Sequence, residues 1–300
     1  MTHLSSVFGE RIVVQPRLFK ISTYLEPEQK LKTKYYTAKL VKRIVINANP
    51  GIEKLFQPTR GIQPKLIHIT PLYAVKRQKI RTIHYTTELM PNYYAFYIGL
   101  LDGPIDPYIA YNMTNIDEIE FAKVRINIYV KEVKEINIDT IVKETLEAIE
   151  EYRKIKLIFS SPTVLRDPLT STMHKTLIPS TMNIFSTPVY IWLYATGKLR
   201  YKTLMKILTH LHRAFTVPPT YLQTVKKLDL HYEPGKRIPT LIGYINLHYN
   251  PENDPNKQAL DILKQILPLV LALGVGVGRA SGFGHITTQP PKTNHSFILW

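Results

Sequence analysis

Residues 274–286 of the chain are Gly-Val-Gly-Val-Gly-Arg-Ala-Ser-Gly-Phe-Gly-His-Ile, a stretch that holds five of the thirteen glycines. The five are Gly274, Gly276, Gly278, Gly282 and Gly284. Because glycine has no Cβ, it adopts positive φ freely and lets another backbone or a ligand come close. Free N–H groups in such a loop can bind an anion, and the guanidinium of Arg279 suits phosphate. The alternative is a helix-to-strand connection that only packs tightly.

The order of elements around the loop argues against a P-loop or dinucleotide site, because those sites run strand, glycine loop, helix. Here residues 255–273 predict a helix before the loop, with Asp254 as N-cap and apolar residues at helical spacing. A short strand is predicted from about Phe283. No Lys-Ser or Lys-Thr pair closes the loop.

The stretch resembles the glycine-rich loop of the RAMP superfamily, and more narrowly the CRISPR-associated endoribonucleases that cut repeat RNA out of precursor transcripts. Residues 159–165, Phe-Ser-Ser-Pro-Thr-Val-Leu, are similar to a segment of crenarchaeal members. Residues 64–72, Pro-Lys-Leu-Ile-His-Ile-Thr-Pro-Leu, resemble the second strand of the family. The resemblance implies an α+β fold with two tandem ferredoxin-like domains, no cofactor and CRISPR repeat RNA as the partner.

Composition favours a globular protein with a polyanionic partner. The chain has no cysteine, so disulfides and thiolate metal sites are excluded, and no histidine pair has metal-site spacing. Its net charge of +16 is unevenly distributed: residues 1–86 carry +12, residues 87–155 carry −6 and residues 156–300 carry +10. Such segregation predicts a one-sided cationic surface for nucleic acid. No membrane span or signal peptide is predicted, so we expect a cytoplasmic protein.

Apolar periodicity predicts the order of elements. A strand at 18–26, a helix at 35–48 and a strand at 65–73 open a ferredoxin-like unit. The further predicted elements are a basic hairpin or loop at 76–86, strands at 93–101 and 118–133, a helix at 140–153 capped by Asp139, a strand at 155–160 that closes the first half, a helical stretch at 190–215, and strands at 224–233, 238–248 and 283–289. The predicted domains are 1–165 and 189–289, joined by an irregular segment at 166–188 and followed by a tail at 290–300.

The 35–48 helix presents Lys39, Lys42 and Arg43 opposite its apolar face, and no acid occurs between Gln29 and Gly51. An exposed helix usually alternates charges, so this face is a candidate for phosphate, with a merely solvated face as the alternative. Tyr35 could stack on a base or simply pack.

The resemblance implies the catalytic residues, which would resemble those of crenarchaeal members that lack a histidine and rely on lysines and arginines. Residues 37–42, Thr-Ala-Lys-Leu-Val-Lys, match the basic helix of the family, and Gly-Lys-Arg-Ile-Pro at 235–239 matches an arginine segment. The implied catalytic residues are Lys39, Lys42, Lys65, Arg237 and Arg279, and the implied RNA contacts are Tyr35, Arg43, Lys236 and the five loop glycines.

Metal-free cleavage requires the 2′-hydroxyl to attack the adjacent phosphorus, with a base, a cation and an acid in place. A lysine acts as the base only if neighbouring cations or burial lower its pKa. Three alternatives stay open: the lysines only grip phosphate, Arg279 is structural, and His68 is a buried strand histidine. The protein is then a repeat-processing endoribonuclease or a non-catalytic guide-RNA subunit of an effector complex, and the former could hand its product to such a complex. A homodimer through the tail or the second half is a further expectation.

Overall fold

The computed structural model of the chain describes residues 15–57, 63–76, 79–170 and 174–289. Its strands are β1 (Gln15–Pro27), β2 (Ile67–Ile69), β3 (Leu72–Lys76), β4 (Lys79–Ile83), β5 (Asn92–Asp102), β6 (Glu118–Phe121), β7 (Val124–Glu135), β8 (Lys154–Thr163), β9 (Leu165–Arg166), β10 (Lys175–Thr176), β11 (Phe215–Thr216), β12 (Val225–Glu233), β13 (Lys236–Tyr249) and β14 (Ile286–Gln289). Its α-helices are α1 (Thr37–Ala48), α2 (Glu53–Phe56), α3 (Tyr108–Tyr111), α4 (Ile138–Tyr152), α5 (Thr181–Ala195), α6 (Tyr201–Ala214), α7 (Tyr221–Thr224) and α8 (Gln258–Leu273).

The first sheet is antiparallel and has the order β4-β3-β5-β1-β7-β6, with β2 also paired to β5. β2 and β3 are two parts of one line of chain that breaks at Pro71, because proline has no N–H for the ladder. α1 covers one face of this sheet with Leu40, Val41 and Ile44, which belong to the same buried cluster as Ile21 and Ile98. The apolar periodicity of the 35–48 region therefore produces the predicted helix at nearly the predicted bounds.

The second sheet repeats the arrangement. Its order is β11-β13-β8-β14, with β12 on the other side of β13, so the four main strands lie as β12-β13-β8-β14. Along the chain, helices α5 and α6 follow β8, which is the earliest of these four strands, and α8 precedes β14, which is the latest. The predicted α+β fold with two ferredoxin-like units is confirmed.

The predicted place of the 155–160 strand is wrong. β8 pairs with β13 and β14, so it opens the second sheet rather than closing the first. The sheets divide between β7 and β8, and the predicted boundary at 165/166 falls after the first strand of the second unit. The apolar pattern of 155–160 was correct for a strand, but it contains nothing that specifies which sheet the strand joins.

Four other predictions are corrected by local geometry. The 118–133 strand is the β6-β7 hairpin, which turns at Ala122 and Lys123 with φ of 53° and 63°. The 190–215 stretch is the pair α5 and α6, and α5 begins inside the segment predicted to be irregular. The N-cap of α4 is Asn137, whose side chain accepts the N–H of Thr140. α8 begins at Gln258, yet the carboxylate of Asp254 still accepts the N–H of Ala259.

The two units pack closely through α8 and the loop after it. Gly99 of β5 lies directly against α8, since a Cβ placed there would be 1.6 Å from the carbonyl oxygen of Ala272. The hydroxyl of Tyr73 donates to the carbonyl of Ser160 at 3.2 Å, which ties the first sheet to β8. The tail at 290–300 and residues 77–78 of the predicted basic hairpin or loop lie outside the described residues. None of the described helices is long and apolar enough to cross a bilayer.

Candidate functional site

The glycine loop (residues 274–284) is a packing junction between the two units. All five of its glycines have positive φ. A Cβ on Gly276 would be 2.0 Å from the carbonyl oxygen of Val164, and one on Gly282 would be 2.1 Å from the Cβ of Ala38 in α1. Backbone hydrogen bonds also hold the loop against residues 162–164. The N–H of Val277 donates to the carbonyl of Val164, and the N–H of Gly284 donates to that of Pro162.

Only Gly278 is exposed among the five glycines; Gly274, Gly276, Gly282 and Gly284 are buried. Their predicted contact with RNA is therefore corrected: four of the five present no surface to a ligand. The loop follows the alternative interpretation of its sequence, in which glycine permits close packing rather than an anion-binding concavity.

Arg279 is buried as well, with 5% of its surface exposed. Its guanidinium donates to the carbonyl of Leu273 at 3.1 Å and to that of Lys65 at 2.7 Å, so it ties the end of α8 to the start of β2. Burial, and to a lesser degree the charge of Arg166, lowers the pKa of Arg279 to about 9, which leaves it protonated at neutral pH. Its predicted phosphate contact is corrected to a structural position, because its described donors face carbonyls inside the protein.

Beneath the loop, two buried histidine rings stack between the units. The rings of His68 and His285 have centroids 5.5 Å apart, and the Tyr97 ring also stacks on His285, with centroids 5.3 Å apart. His68 Nδ1 lies 3.0 Å from the carbonyl oxygen of Arg279. Burial lowers the pKa of His68 well below its usual range and that of His285 to about 4. His68 is thus a buried strand histidine, as one of the open alternatives held.

The predicted lysines lie on the surface in a series that we call the lysine row: Lys39, Lys42 and Lys65. Desolvation, with repulsion from Lys39, lowers the pKa of Lys42 against the opposing effect of Glu53. Desolvation, with repulsion from Lys42, also lowers the pKa of Lys65. The Lys65 amine donates to the carbonyls of Leu55, at 2.9 Å, and Gln57. The pKa values of Lys42 and Lys65 are therefore shifted in the direction that a lysine base requires.

Lys39 differs from its two neighbours because it is paired. Its amine donates to the carboxylate of Glu233 and lies 5.0 Å from the ring centroid of Tyr232 and 5.1 Å from that of Tyr35. The bond from Lys39 and the charge of Lys236 lower the pKa of Glu233. Lys236 is 3.6 Å from the same carboxylate. The tip of the β12-β13 hairpin thus reaches the first turn of α1.

Arg237 is exposed on this hairpin and belongs to a second group of side chains. It is the cross-strand partner of His231, whose ring lies 6.2 Å from that of Tyr85. The amine of Lys34 is 4.1 Å from the Tyr85 ring centroid. Desolvation and the charges of Lys34 and Arg237 lower the pKa of His231.

The structure therefore divides the predicted catalytic set. Lys42 and Lys65 adjoin each other, Lys39 and Lys236 share Glu233, Arg237 lies beside His231, and Arg279 is buried.

The predicted RNA contact Arg43 is exposed on α1, and Tyr35 is partly buried, with its ring 5.6 Å from that of Phe121. Sequence analysis missed His231, Glu233 and Tyr85, which only the tertiary fold brings to α1; the alternation of β12 was the one available signal. Within the described residues, no group of three or more His, Asp or Glu side chains is placed to hold a metal ion.

Similar folds occur among CRISPR proteins. No family model matches the sequence, and no curated protein matches it. Thermus thermophilus Cas6 in a product complex has a TM-score of 0.60 at 13% identity, over 92% of this chain and 99% of that one. A Cas6-related protein from Pyrococcus furiosus gives 0.52 at 12%, over 92% and 100%. A RAMP protein described as binding different RNA substrates gives 0.51 at 14%, over 91% and 99%. The chain therefore has the fold of Cas6 and RAMP proteins.

Proposed function

We propose that the protein is a metal-independent endoribonuclease that binds CRISPR repeat RNA and cuts precursor transcripts, in the manner of crenarchaeal members without a catalytic histidine on α1. The observation that carries the proposal is the pair Lys42 and Lys65, two partly buried lysines with lowered pKa at one edge of a Cas6-like fold. Two similar structures are Cas6 proteins with a product and with a substrate mimic, which supports RNA as the ligand.

In the proposed reaction the RNA 2′-hydroxyl loses its proton to Lys42 as its oxygen attacks the adjacent phosphorus. The bond from phosphorus to the 5′-oxygen breaks, and a general acid protonates this oxygen. Lys65 and Arg237 stabilise the negative charge that develops on the phosphate oxygens. The products are a 2′,3′-cyclic phosphate and a 5′-hydroxyl.

The test uses purified protein in EDTA with a labelled repeat RNA and a copy that carries one 2′-deoxy nucleotide at the cut. We expect a single cut in the RNA and none in the deoxy copy, because the nucleophile is missing. Lys42→Ala and Lys65→Ala should each lower the single-turnover rate about 100-fold or more, as expected for loss of proton-transfer or charge-stabilising groups. Lys264→Ala, an exposed lysine on α8, is the matched control and should cut at the wild-type rate.

The second candidate is a non-catalytic guide-RNA subunit. The observation that favours it is that Lys39 is paired with Glu233 and Arg279 is buried, so fewer cations converge on one phosphate than the sequence implied. Tight binding of several repeat RNAs with no cut in any of them would contradict the endoribonuclease and support this subunit. The proposed partners in either case are CRISPR RNA and an effector complex; a homodimer stays a prediction.

A further inference from the structure

A second cationic surface lies on α6, apart from the lysine row. Residues 168–228 contain eight Lys and Arg and no Asp or Glu. α6 lies inside this stretch and packs its buried leucines against α5 and α8. We call the exposed cations on and just before this helix the α6 stripe: Arg200, Lys202, Lys206 and Arg213.

The stripe is linear. At 100° per residue, Lys202, Lys206 and Arg213 fall within about 40° of one another around the helix axis, and they are spaced by about 6 Å and about 10 Å along it. A row of this kind matches a ligand that repeats its negative charge, rather than a single small anion.

The N-terminal part of the stripe, Lys202 and Lys206, is electrostatically unfavourable in the isolated protein. Among the ion pairs of the described residues, none includes a member of the stripe. Lys202 lies in the first turn, where the helix dipole disfavours a cation, and Lys202 and Lys206 form a like-charge i,i+4 pair. Two acids lie near the end of the helix: Asp254 is 2% exposed and accepts a bond from Tyr249, and the exposed Glu252 forms no ion pair with Arg213 among the described residues. A bound polyanion would relieve this repulsion.

The C-terminal end of the stripe is distant from the hairpin tip. The end of α6 leads into β11, whose Phe215 pairs with Tyr249 at the end of β13. Arg237 lies at the opposite end of β13, twelve residues or roughly 40 Å of strand away. At the other end of α6, the hydroxyl of Tyr201 donates to the carbonyl of Pro168 at 3.1 Å, next to β9. A ligand at Arg213 is therefore separate from one held at Arg237.

We propose that the α6 stripe binds the phosphates of single-stranded RNA that extends beyond the portion held at the lysine row. RNA is preferred to an anionic membrane because α6 contains no Trp or Phe to insert into a bilayer. Contacts to phosphates carry no base information, so the stripe binds without sequence preference. Only the choice of RNA over other polyanions rests on the proposed function; the stripe itself does not need catalysis.

The test compares the wild type with the triple variant Lys202→Gln, Lys206→Gln and Arg213→Gln, because glutamine has a similar helix propensity. The control triple variant is Lys123→Gln, Lys131→Gln and Lys143→Gln, which removes the same charge from exposed lysines elsewhere. Probes are a repeat RNA, the same RNA with a single-stranded uridine extension, and the uridine strand alone. Binding is measured by fluorescence anisotropy over a series of salt concentrations, with thermal melting to establish that each variant is folded.

We expect the stripe variant to bind the extended RNA and the uridine strand at least about tenfold more weakly, with a salt slope smaller by about 2, since each single-strand phosphate contact contributes roughly 0.7. Its affinity for the repeat alone and all affinities of the control should match the wild type. Unchanged affinity and slope on both single-stranded probes would overturn the proposal. So would stripe-dependent binding to phosphatidylserine vesicles with RNA binding unaffected. If the repeat is neither preferred nor cut, the proposed function fails while the uridine strand still tests the stripe.

Discussion

The glycine loop and the lysine row differ in what their sequences signal and in what they do. The loop has the most distinctive sequence in the chain, and the structure uses it inside the protein, where four of its five glycines are buried. The lysine row has an unremarkable sequence of lysines on a helix and before a strand. It lies at the surface, and the pKa values of Lys42 and Lys65 are lowered there.

The recognisable motif thus positions the candidate site but contributes none of its lysines. Gly282 lies against Ala38 at the start of α1, and Arg279 holds the carbonyl of Lys65. The loop therefore fixes the elements on which the lysines are mounted, from the side that faces the core. Replacing residues in the loop should change stability, whereas replacing residues in the row should change chemistry.

The largest expected effect is on the loop. Gly276→Ala should lower the free energy of unfolding by more than about 3 kcal/mol, because its Cβ would meet a carbonyl oxygen at 2.0 Å at a residue with φ of +68°. Denaturant unfolding measures the loss.

Gly197→Ala is the matched control, since Gly197 has the same φ of +68° with open space around it. It should cost only about 1–2 kcal/mol, the usual penalty for a left-handed alanine. Equal losses in the two variants would show that close packing at Gly276 contributes nothing.

The next effect concerns acid stability at the junction beneath the loop. The folded pKa of His285 is about 4 and its ordinary value is 6.5, so the unfolded chain binds more protons between these values. Stability should therefore fall as the pH falls through this window, by about 3 kcal/mol from His285 alone. Burial lowers the pKa of His68 as well, which adds to the loss in the same direction.

His285→Phe tests this assignment. Neither ring nitrogen of His285 has a partner among the described residues, and phenylalanine keeps the stacking between His68 and Tyr97. The variant should be at least as stable as the wild type at pH 8 and should lose less stability by pH 4. If urea unfolding shows that the variant loses as much stability between pH 8 and pH 4 as the wild type, the assignment is contradicted.

The smallest effect is expected at the hairpin tip. Glu233→Gln removes a carboxylate beside Lys39 and Lys236, so affinity for repeat RNA should rise several-fold, while stability changes by less than about 1 kcal/mol. Glu147→Gln on α4 is the control, because Glu147 pairs with Lys143 away from the site and should leave affinity unchanged. Weaker binding by Glu233→Gln would indicate that the carboxylate positions Lys39 for RNA.

Much of the fold could be predicted from local sequence, since the apolar residues of α1 and β5 are local signals. The sheet that contains β8 could not, because pairing depends on β13 and β14 far along the chain. The same limit applies to the site. Lys42 and Lys65 could be selected, but the pairing of Lys39 with Glu233 and the burial of Arg279 depend on contacts across 194 and 214 residues.

The most direct measurement is the single-turnover rate and RNA affinity of Lys42→Arg. Arginine keeps the positive charge and stays protonated, so it can hold a phosphate but cannot accept the 2′-hydroxyl proton. If Lys42 is the base, the variant should bind repeat RNA with nearly wild-type affinity and cut it about 100-fold more slowly or worse. A wild-type rate would contradict the account and leave Lys42 as a phosphate contact.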